Sequence, residues 1–248
     1  MAYKYTVGQR NYRFDTLKSL LAKATPKRSG DELAGIAATD ATERVAAQMA
    51  LADCCLTDFL NEMVVPYEDD EVTRLIIKQH DSKAFEKISS FTVGDLRNWL
   101  LSEAATTEAI IQLKYALTPE MVAAVSKIMR IQDLILVAKK CRVITKFRNT
   151  IGLEGTMSTR LQPNHPTDDM LGISASIIDG LLYGNGDATI GINPATDNLQ
   201  NLSELLKFLD HIIHEYQVPT QSCVLTHITS SIQLIEKNVP VDLVFQSI

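Results

Sequence analysis

The spacing of apolar positions changes character near residue 150 of this 248-residue chain. Before it, apolar residues recur three and four apart, the period of helices with one buried face. Met121, Val122, Val125, Ile128 and Met129 follow Thr118-Pro119-Glu120, a capping hydroxyl ahead of a proline at the first helical position. Ser29-Gly30-Asp31-Glu32 has capping-box spacing, and Asp40-Ala41-Thr42-Glu43 has a looser form of it. Tyr3-Lys4-Tyr5 and Tyr12-Arg13-Phe14 flank Gly8 and suggest a short hairpin at the start. The lone tryptophan, Trp99, reads as a packing residue of a helix. The acidic run Glu68-Asp69-Asp70-Glu71 invites a metal reading, but it also opens a helix through Val72, Leu75, Ile76 and Ile77. Carboxylates there complement the helix dipole. Residues 1–150 are therefore expected to form a mainly α-helical domain.

From Thr156 the pattern alternates between short strands and helices. Strands are expected near 156–162, 187–193, 222–227 and 243–248. Between them, one helix carries Leu171, Ile177, Ile178, Leu181 and Leu182 on a broad face and ends at Gly184-Asn185-Gly186. A second carries Leu199, Leu202, Leu205, Leu206, Leu209, Ile212 and Ile213, and a shorter third holds Ile232, Leu234 and Ile235. Strand and helix in alternation imply right-handed crossovers and a parallel sheet. The expected fold class is α/β: a helical N-terminal domain, then over 151–248 about the first four strand–helix units of a TIM-type (β/α)8 barrel.

Side chains alternate along a strand, so residues two apart share a face. Ser158, Arg160 and Gln162 share one face of the first strand, against Met157, Thr159 and Leu161. In the second, Asp187, Thr189, Gly191 and Asn193 oppose Ala188, Ile190 and Ile192. The largest polar groups come at the C-terminal ends, where barrels and doubly wound sheets both bind ligands. The loop Gln162-Pro163-Asn164-His165-Pro166 is no glycine-rich phosphate cradle, and no dinucleotide fingerprint appears. The arginine fork and two carboxamides suit a small ligand bearing hydroxyl and amine groups. No general-base carboxylate is evident beside them, since Asp187 lies at the other end of its strand. His227 ends the third strand and could bind metal or move a proton, although such a histidine is often structural.

A net charge of −6 argues against nucleic acid as a partner. No apolar run approaches the roughly 18 residues that span a bilayer, and the N-terminus lacks the apolar core of a secretory signal. Cys54, Cys55, Cys141 and Cys223 fit neither a metal pair nor a disulfide framework. Cys54 and Cys55 read as helical core, and the chain as cytoplasmic and reduced.

Several separate motifs carry a resemblance that spans the chain. Arg28-Ser29-Gly30-Asp31-Glu32-Leu33-Ala34-Gly35, Tyr67-Glu68-Asp69-Asp70, Arg160-Leu161-Gln162-Pro163-Asn164, Gly191-Ile192-Asn193-Pro194 and Phe245-Gln246-Ser247-Ile248 resemble the large subunit of ethanolamine ammonia-lyase. The resemblance implies an adenosylcobalamin-dependent radical enzyme that converts ethanolamine to acetaldehyde and ammonia. Cobalt–carbon homolysis would give a 5′-deoxyadenosyl radical, which takes hydrogen from the hydroxyl-bearing carbon before the amino group migrates. Carried over by motif, Arg160 and Asn193 would contact the substrate hydroxyl and Gln162 the amino group. Pro194 and Gln246 would line the cobalamin face, and Ser247 would reach the adenosyl group. No metal ligand and no further catalytic residue is assigned. The resemblance also implies a small subunit as partner, a homo-oligomer of large subunits, and a cytoplasmic place inside a bacterial microcompartment.

A complete barrel takes roughly 250 residues, whereas only about a hundred follow Ile151. The family's acidic substrate ligands lie on later strands, so the expectation is a portion of the large subunit, inactive alone. The competing reading is a non-catalytic scaffold protein of an ethanolamine-utilisation complex. Retention of Arg160, Gln162 and Asn193 weighs against it. An unrelated barrel enzyme that uses His227 as base or ligand is a third reading.

Overall fold

The computed structural model describes residues 2–245, and the chain divides into two compact units, Met1–Arg142 and Val143–Ile248. In the first unit, β1 (Tyr3–Val7) and β2 (Arg10–Phe14) pair antiparallel, with Tyr3 opposite Phe14 and Val7 opposite Arg10. Gly8 turns the hairpin at a φ of +61°, which glycine adopts without Cβ strain.

Helices make up the rest of this unit. They are α1 (Leu17–Lys23), α2 (Ser29–Leu33), α3 (Ala41–Ala52), α4 (Asp58–Asn61), α5 (Glu71–Gln79), α6 (Ser82–Phe85), α7 (Val93–Leu101), α8 (Thr107–Ile111), α9 (Pro119–Lys127) and α10 (Ile131–Lys140). Thr118 caps α9 by accepting from the Met121 amide, with Pro119 in the first turn. Asp40 caps α3, accepting from the Glu43 amide at 2.7 Å. The Glu43 side chain reaches Thr39 instead of closing a box on Asp40. Ser29 does not cap α2, because the N-cap position falls on Arg28, whose side chain makes no capping bond. A full capping box forms at Thr92 and Asp95, where aspartate replaces the usual glutamate.

Asp70 caps α5, accepting from the amide and hydroxyl of Thr73 at 2.7 Å each, and these bonds hold its carboxyl below the usual range. The acidic run therefore starts a helix. The cap also fixes that helix's phase: Thr73 turns inward while Val72 and Leu75 are exposed. The core of the unit joins Phe14, Leu17, Leu20, Leu51, Leu96 and Met121, with Trp99 packed half-buried against it. Cys54 belongs to the core as expected, but neither cysteine is helical and Cys55 is not core. Asp53 is the C-cap of α3, so both cysteines lie beyond the helix, Cys54 buried and Cys55 exposed in a bridge with Thr92.

The second unit opens with the hairpin β3 (Thr145–Lys146) and β4 (Thr150–Ile151), then alternates β5 (Arg160–Leu161), α11 (Met170–Leu182), β6 (Thr189–Ile192), α12 (Leu199–Glu215), β7 (Ser222–Val224) and α13 (Ile228–Glu236). The sheet is parallel in the order β5-β6-β7, with Arg160 opposite Thr189 and Gly191 opposite Cys223. Leu243 adds one parallel bridge to Cys223, next to β7. The fold is therefore α/β with small sheets, and the described strands form no closed barrel.

β5, β6 and β7 are all shorter than their sequence pattern, β6 spanning only Thr189–Ile192. Upstream of β5, Thr156 folds back onto the Leu153 carbonyl, and the Thr159 amide and hydroxyl are bound by Asp187. Thr226 and His227 lie beyond β7, because His227 is the N-cap of α13. Of the expected strand at 243–248, Gln246, Ser247 and Ile248 lie outside the described residues.

Ile190, Ile192 and Val224 of the sheet pack under Leu202, Leu205, Leu206 and Leu209 of α12 and Ile173 and Ile177 of α11. The buried face of α12 is the one its leucine spacing predicts. That of α11 is not, since Leu171 and Leu182 are about 80% exposed (80% and 81%) and the sheet-facing line is Ile173, Ile177 and Gly180. Gly180 belongs to this line: a methyl there would fall 2.7 Å from Cδ2 of Leu161, so glycine lets the helix approach β5 with Leu161 in its present place. Among the described residues no helix is long and apolar enough to cross a membrane.

Candidate functional site

The C-terminal ends of β5 and β6 carry the polar residues that alternation placed on one face. Arg160 is exposed at its surface, yet its guanidinium lies across the α-carbon of Gly191 on the neighbouring strand. A methyl built on Gly191 would fall 2.6 Å from Cζ and 2.9 Å from Nε of Arg160. Glycine in a strand commonly marks such a close approach. On the next strand the buried Cys223 thiol, opposite Gly191 in register, interacts with the same guanidinium. Burial pushes this thiol up, and Arg160 opposes the shift without reversing it. Arg160 thus lies in a trough formed by two small residues.

Asn193 follows β6 directly. Its backbone amide donates to Oδ1 of Asn164 at 2.8 Å, which ties the end of β6 to the loop after β5. Its own side-chain Oδ1 is buried and has no partner among the described residues. A buried acceptor without a donor is costly in water-free surroundings, so this atom is ready to accept from a ligand. Gln162 is exposed, and its carboxamide makes no hydrogen bond among the described residues. Pro194 is half-buried beside Asn193. Gln246 and Ser247 lie outside the described residues.

The loop between β5 and α11 reaches under this corner. Asp168, 8% exposed with a left-handed φ of +54°, accepts from the amides of Ala195 (2.8 Å) and Thr196 (3.1 Å) and from Nδ2 of Asn201 (2.8 Å). Burial pushes its carboxyl up, but the bonds from Ala195, Asn201 and Thr196 outweigh that and hold it below the usual range. His165 turns inward over Gly172 and accepts at Nδ1 from the amides of Thr167 and Asp169.

The remaining carboxylates near the sheet are structurally engaged. Asp187 sits at the N-terminal end of β6 on Thr159. Asp242 takes the Arg148 fork at 2.5 and 3.0 Å together with the Ser222 amide. Asp197 accepts from the Thr226 hydroxyl. His227 is held as a cap, its Nδ1 paired with the Thr229 hydroxyl at 2.8 Å.

Alternation placed Arg160 on the face that carries Gly191, and the structure brings those two together with Cys223. The roles of Asn164, Asp168 and Cys223 escaped the sequence pattern. Gly191 alone had a signal, a glycine inside an apolar strand.

Comparison with known proteins agrees with these motifs. The sequence profile of the family described as "Ethanolamine ammonia lyase large subunit (EutB)" matches residues 12–248. A protein of Escherichia coli (strain K12) named "Ethanolamine ammonia-lyase large subunit" is 45% identical over 248 residues, covering 100% of this chain and 55% of the relative. The protein of the same name from Salmonella typhimurium (strain LT2) is 44% identical with the same coverage. The chain thus spans about half the length of the curated relatives it matches.

Proposed function

The chain belongs to the ethanolamine ammonia-lyase large-subunit family, and from that premise we propose that its strand-end cluster forms one side of the ethanolamine pocket of an adenosylcobalamin-dependent deaminase. The observation that carries this reading is the orphaned Oδ1 of Asn193 at a surface where Arg160 and Gln162 are open. Ethanolamine has a hydroxyl that can donate to that oxygen while accepting from the Arg160 guanidinium. Its ammonium can donate to the Gln162 carboxamide oxygen.

The order of the sheet supports a barrel. Parallel strands that neighbour one another in chain order, with Leu243 next in line, match the beginning of a (β/α)8 barrel. A doubly wound sheet reverses its order at a switch point.

Pro194, half-buried beside Asn193, would offer cobalamin a rigid apolar contact next to the unpartnered Asn193 oxygen. Gln246 and Ser247 complete the assigned set. When bound, adenosylcobalamin supplies the radical chemistry that starts amino-group migration. The residues named here bind the substrate and orient its hydroxyl-bearing carbon. In this reading the working assembly joins large subunits with small ones in the cytoplasm, inside a bacterial microcompartment.

A substrate ammonium also needs a counter-charge. Asp168, Asp169, Asp187, Asp197 and Asp242 are each hydrogen-bonded to groups of the fold, so this reading takes the neutralising carboxylate from outside the described residues. The 248-residue polypeptide by itself is therefore expected to release no acetaldehyde from ethanolamine with adenosylcobalamin. Turnover by the isolated chain would refute the counter-charge argument.

The pocket itself is tested in a chimera of the E. coli relative whose matching segment is replaced by this chain, assayed with its small subunit. Arg160→Ala and Asn193→Ala remove hydrogen bonds of about 1 to 3 kcal/mol, which corresponds to roughly 5- to 150-fold in kcat/KM. A chimera that deaminates ethanolamine equally well with both substitutions would overturn the reading.

A further inference from the structure

The corner Asn193-Pro194-Ala195-Thr196 has all its backbone donors taken by side chains of one preceding loop. Asn164 accepts the Asn193 amide at 2.8 Å. Pro194 has no N–H to satisfy. Asp168 accepts the Ala195 amide at 2.8 and 3.0 Å through its two oxygens, and the Thr196 amide at 3.1 Å. The same carboxylate takes the Thr196 hydroxyl at 3.3 Å and Nδ2 of Asn201, in the first turn of α12, at 2.8 Å. Asp168 does this from a left-handed backbone conformation (φ +54°), which aspartate and asparagine tolerate better than other side chains. In this arrangement the side-chain Oδ1 of Asn193 is, among the described residues, the buried acceptor of the corner left without a partner.

We infer that Asp168, with Asn164, is a positioning residue that sets the direction of the Asn193 carboxamide and the height of Pro194 at the strand ends. The inference rests on the reading of Asn193 as a substrate contact. It goes beyond that reading in assigning the accuracy of the contact to a carboxylate that never touches ligand. Binding strain at the corner is avoided because the loop after β5 and the loop after β6 are locked before any ligand arrives. A single carboxylate with five donor contacts loosens the whole corner when it is neutralised.

The test has two arms. In the 248-residue chain, hydrogen exchange of the Ala195 and Thr196 amides is expected to accelerate about 10-fold or more in Asp168→Asn. That variant retains the left-handed backbone but turns one acceptor oxygen into a donor. Asn164→Ala is expected to accelerate exchange at Asn193 alone, and it decides the matter if Asp168→Asn fails to fold. In the chimera, Asp168→Asn is expected to lower kcat/KM roughly 10- to 100-fold alone, but by less than about 3-fold in an Asn193→Ala background, because the two act through one contact. Unchanged exchange, or losses that simply add, would overturn the positioning role. If Asn193→Ala leaves turnover unchanged, the pocket reading falls and the exchange arm alone supports or overturns the clamp.

Discussion

Gly191→Ala separates the role of the Arg160 trough from the stability of the fold. The new methyl would lie 2.6 Å from Cζ and 2.9 Å from Nε of Arg160, whereas carbon contacts settle near 3.5 to 4 Å, so the guanidinium must retreat by roughly 1 Å. Nothing else need move far, because the group displaced is the free end of a long side chain and Gly191 is not among the glycines with positive φ. Alanine in a strand also restricts the unfolded chain more than glycine does, a gain of about 0.4 to 1 kcal/mol. The folded state is therefore expected to keep its melting temperature within about 3 °C. Function behaves differently: a displacement of about 1 Å in a substrate-positioning group costs on the order of 100-fold in rate, close to 2.7 kcal/mol. The assay is kcat/KM for ethanolamine in the chimera, beside thermal unfolding followed by circular dichroism. Undiminished kcat/KM would show that the Arg160 position over Gly191 does not matter to the pocket. A melting temperature lowered by many degrees would show that the glycine serves packing.

Two further outcomes concern the second unit alone. Leu209→Ala removes a fully buried side chain from the centre of α12 and is expected to lower unfolding free energy by about 2 to 5 kcal/mol, read from urea titration; a loss under about 1 kcal/mol would contradict the packing described. Asp168, Asp187 and Asp242 all have carboxyls that burial pushes up but hydrogen bonds, with Arg148 in the case of Asp242, bring below the usual range. Groups with a depressed folded pKa stabilise fully above the unfolded value of about 3.9 and lose that contribution as pH falls through the folded one. The urea midpoint is thus expected to hold between about pH 7 and 5 and to drop below about pH 4, and a midpoint that rises on acidification would refute the assignment.

Legibility followed how much each pattern constrained itself. In α12 apolar and charged positions are cleanly separated, so the leucine spacing fixed its buried face. Most positions of α11 are apolar, so several phases look equal in sequence. The observed phase sets Gly180 against Leu161, a contact outside the helix that no spacing within it announces. Period-two alternation found the face shared by Arg160 and Gly191, because a strand with a core side leaves its other side no choice. The clamp at Asp168 was beyond reach, since its partners lie 27 to 33 residues away and its backbone conformation breaks no visible rule of spacing.

The carboxylates of the second unit explain why the pocket is polar yet carries little charge of its own beyond Arg160. Asp187 fastens the start of β6 to the segment before β5, Asp242 fastens Leu243 and its neighbours to β7 through Ser222 and Arg148, and Asp168 fastens the two ligand-side loops. Each accepts from one or two part-buried backbone amides and from side-chain donors besides, so moving any of them toward a substrate ammonium would leave those donors unpaired, at about 1 to 3 kcal/mol for each one that stays buried. Neutral carboxamides have no such duty at the strand ends: Gln162 is open and the Asn193 oxygen is unpartnered. The division of labour is therefore built into the hydrogen-bond network. Acidic groups hold the loops, and on the proposed reading the carboxamides and Arg160 are left to meet the ligand, with the charge that balances an amine coming from outside the described residues.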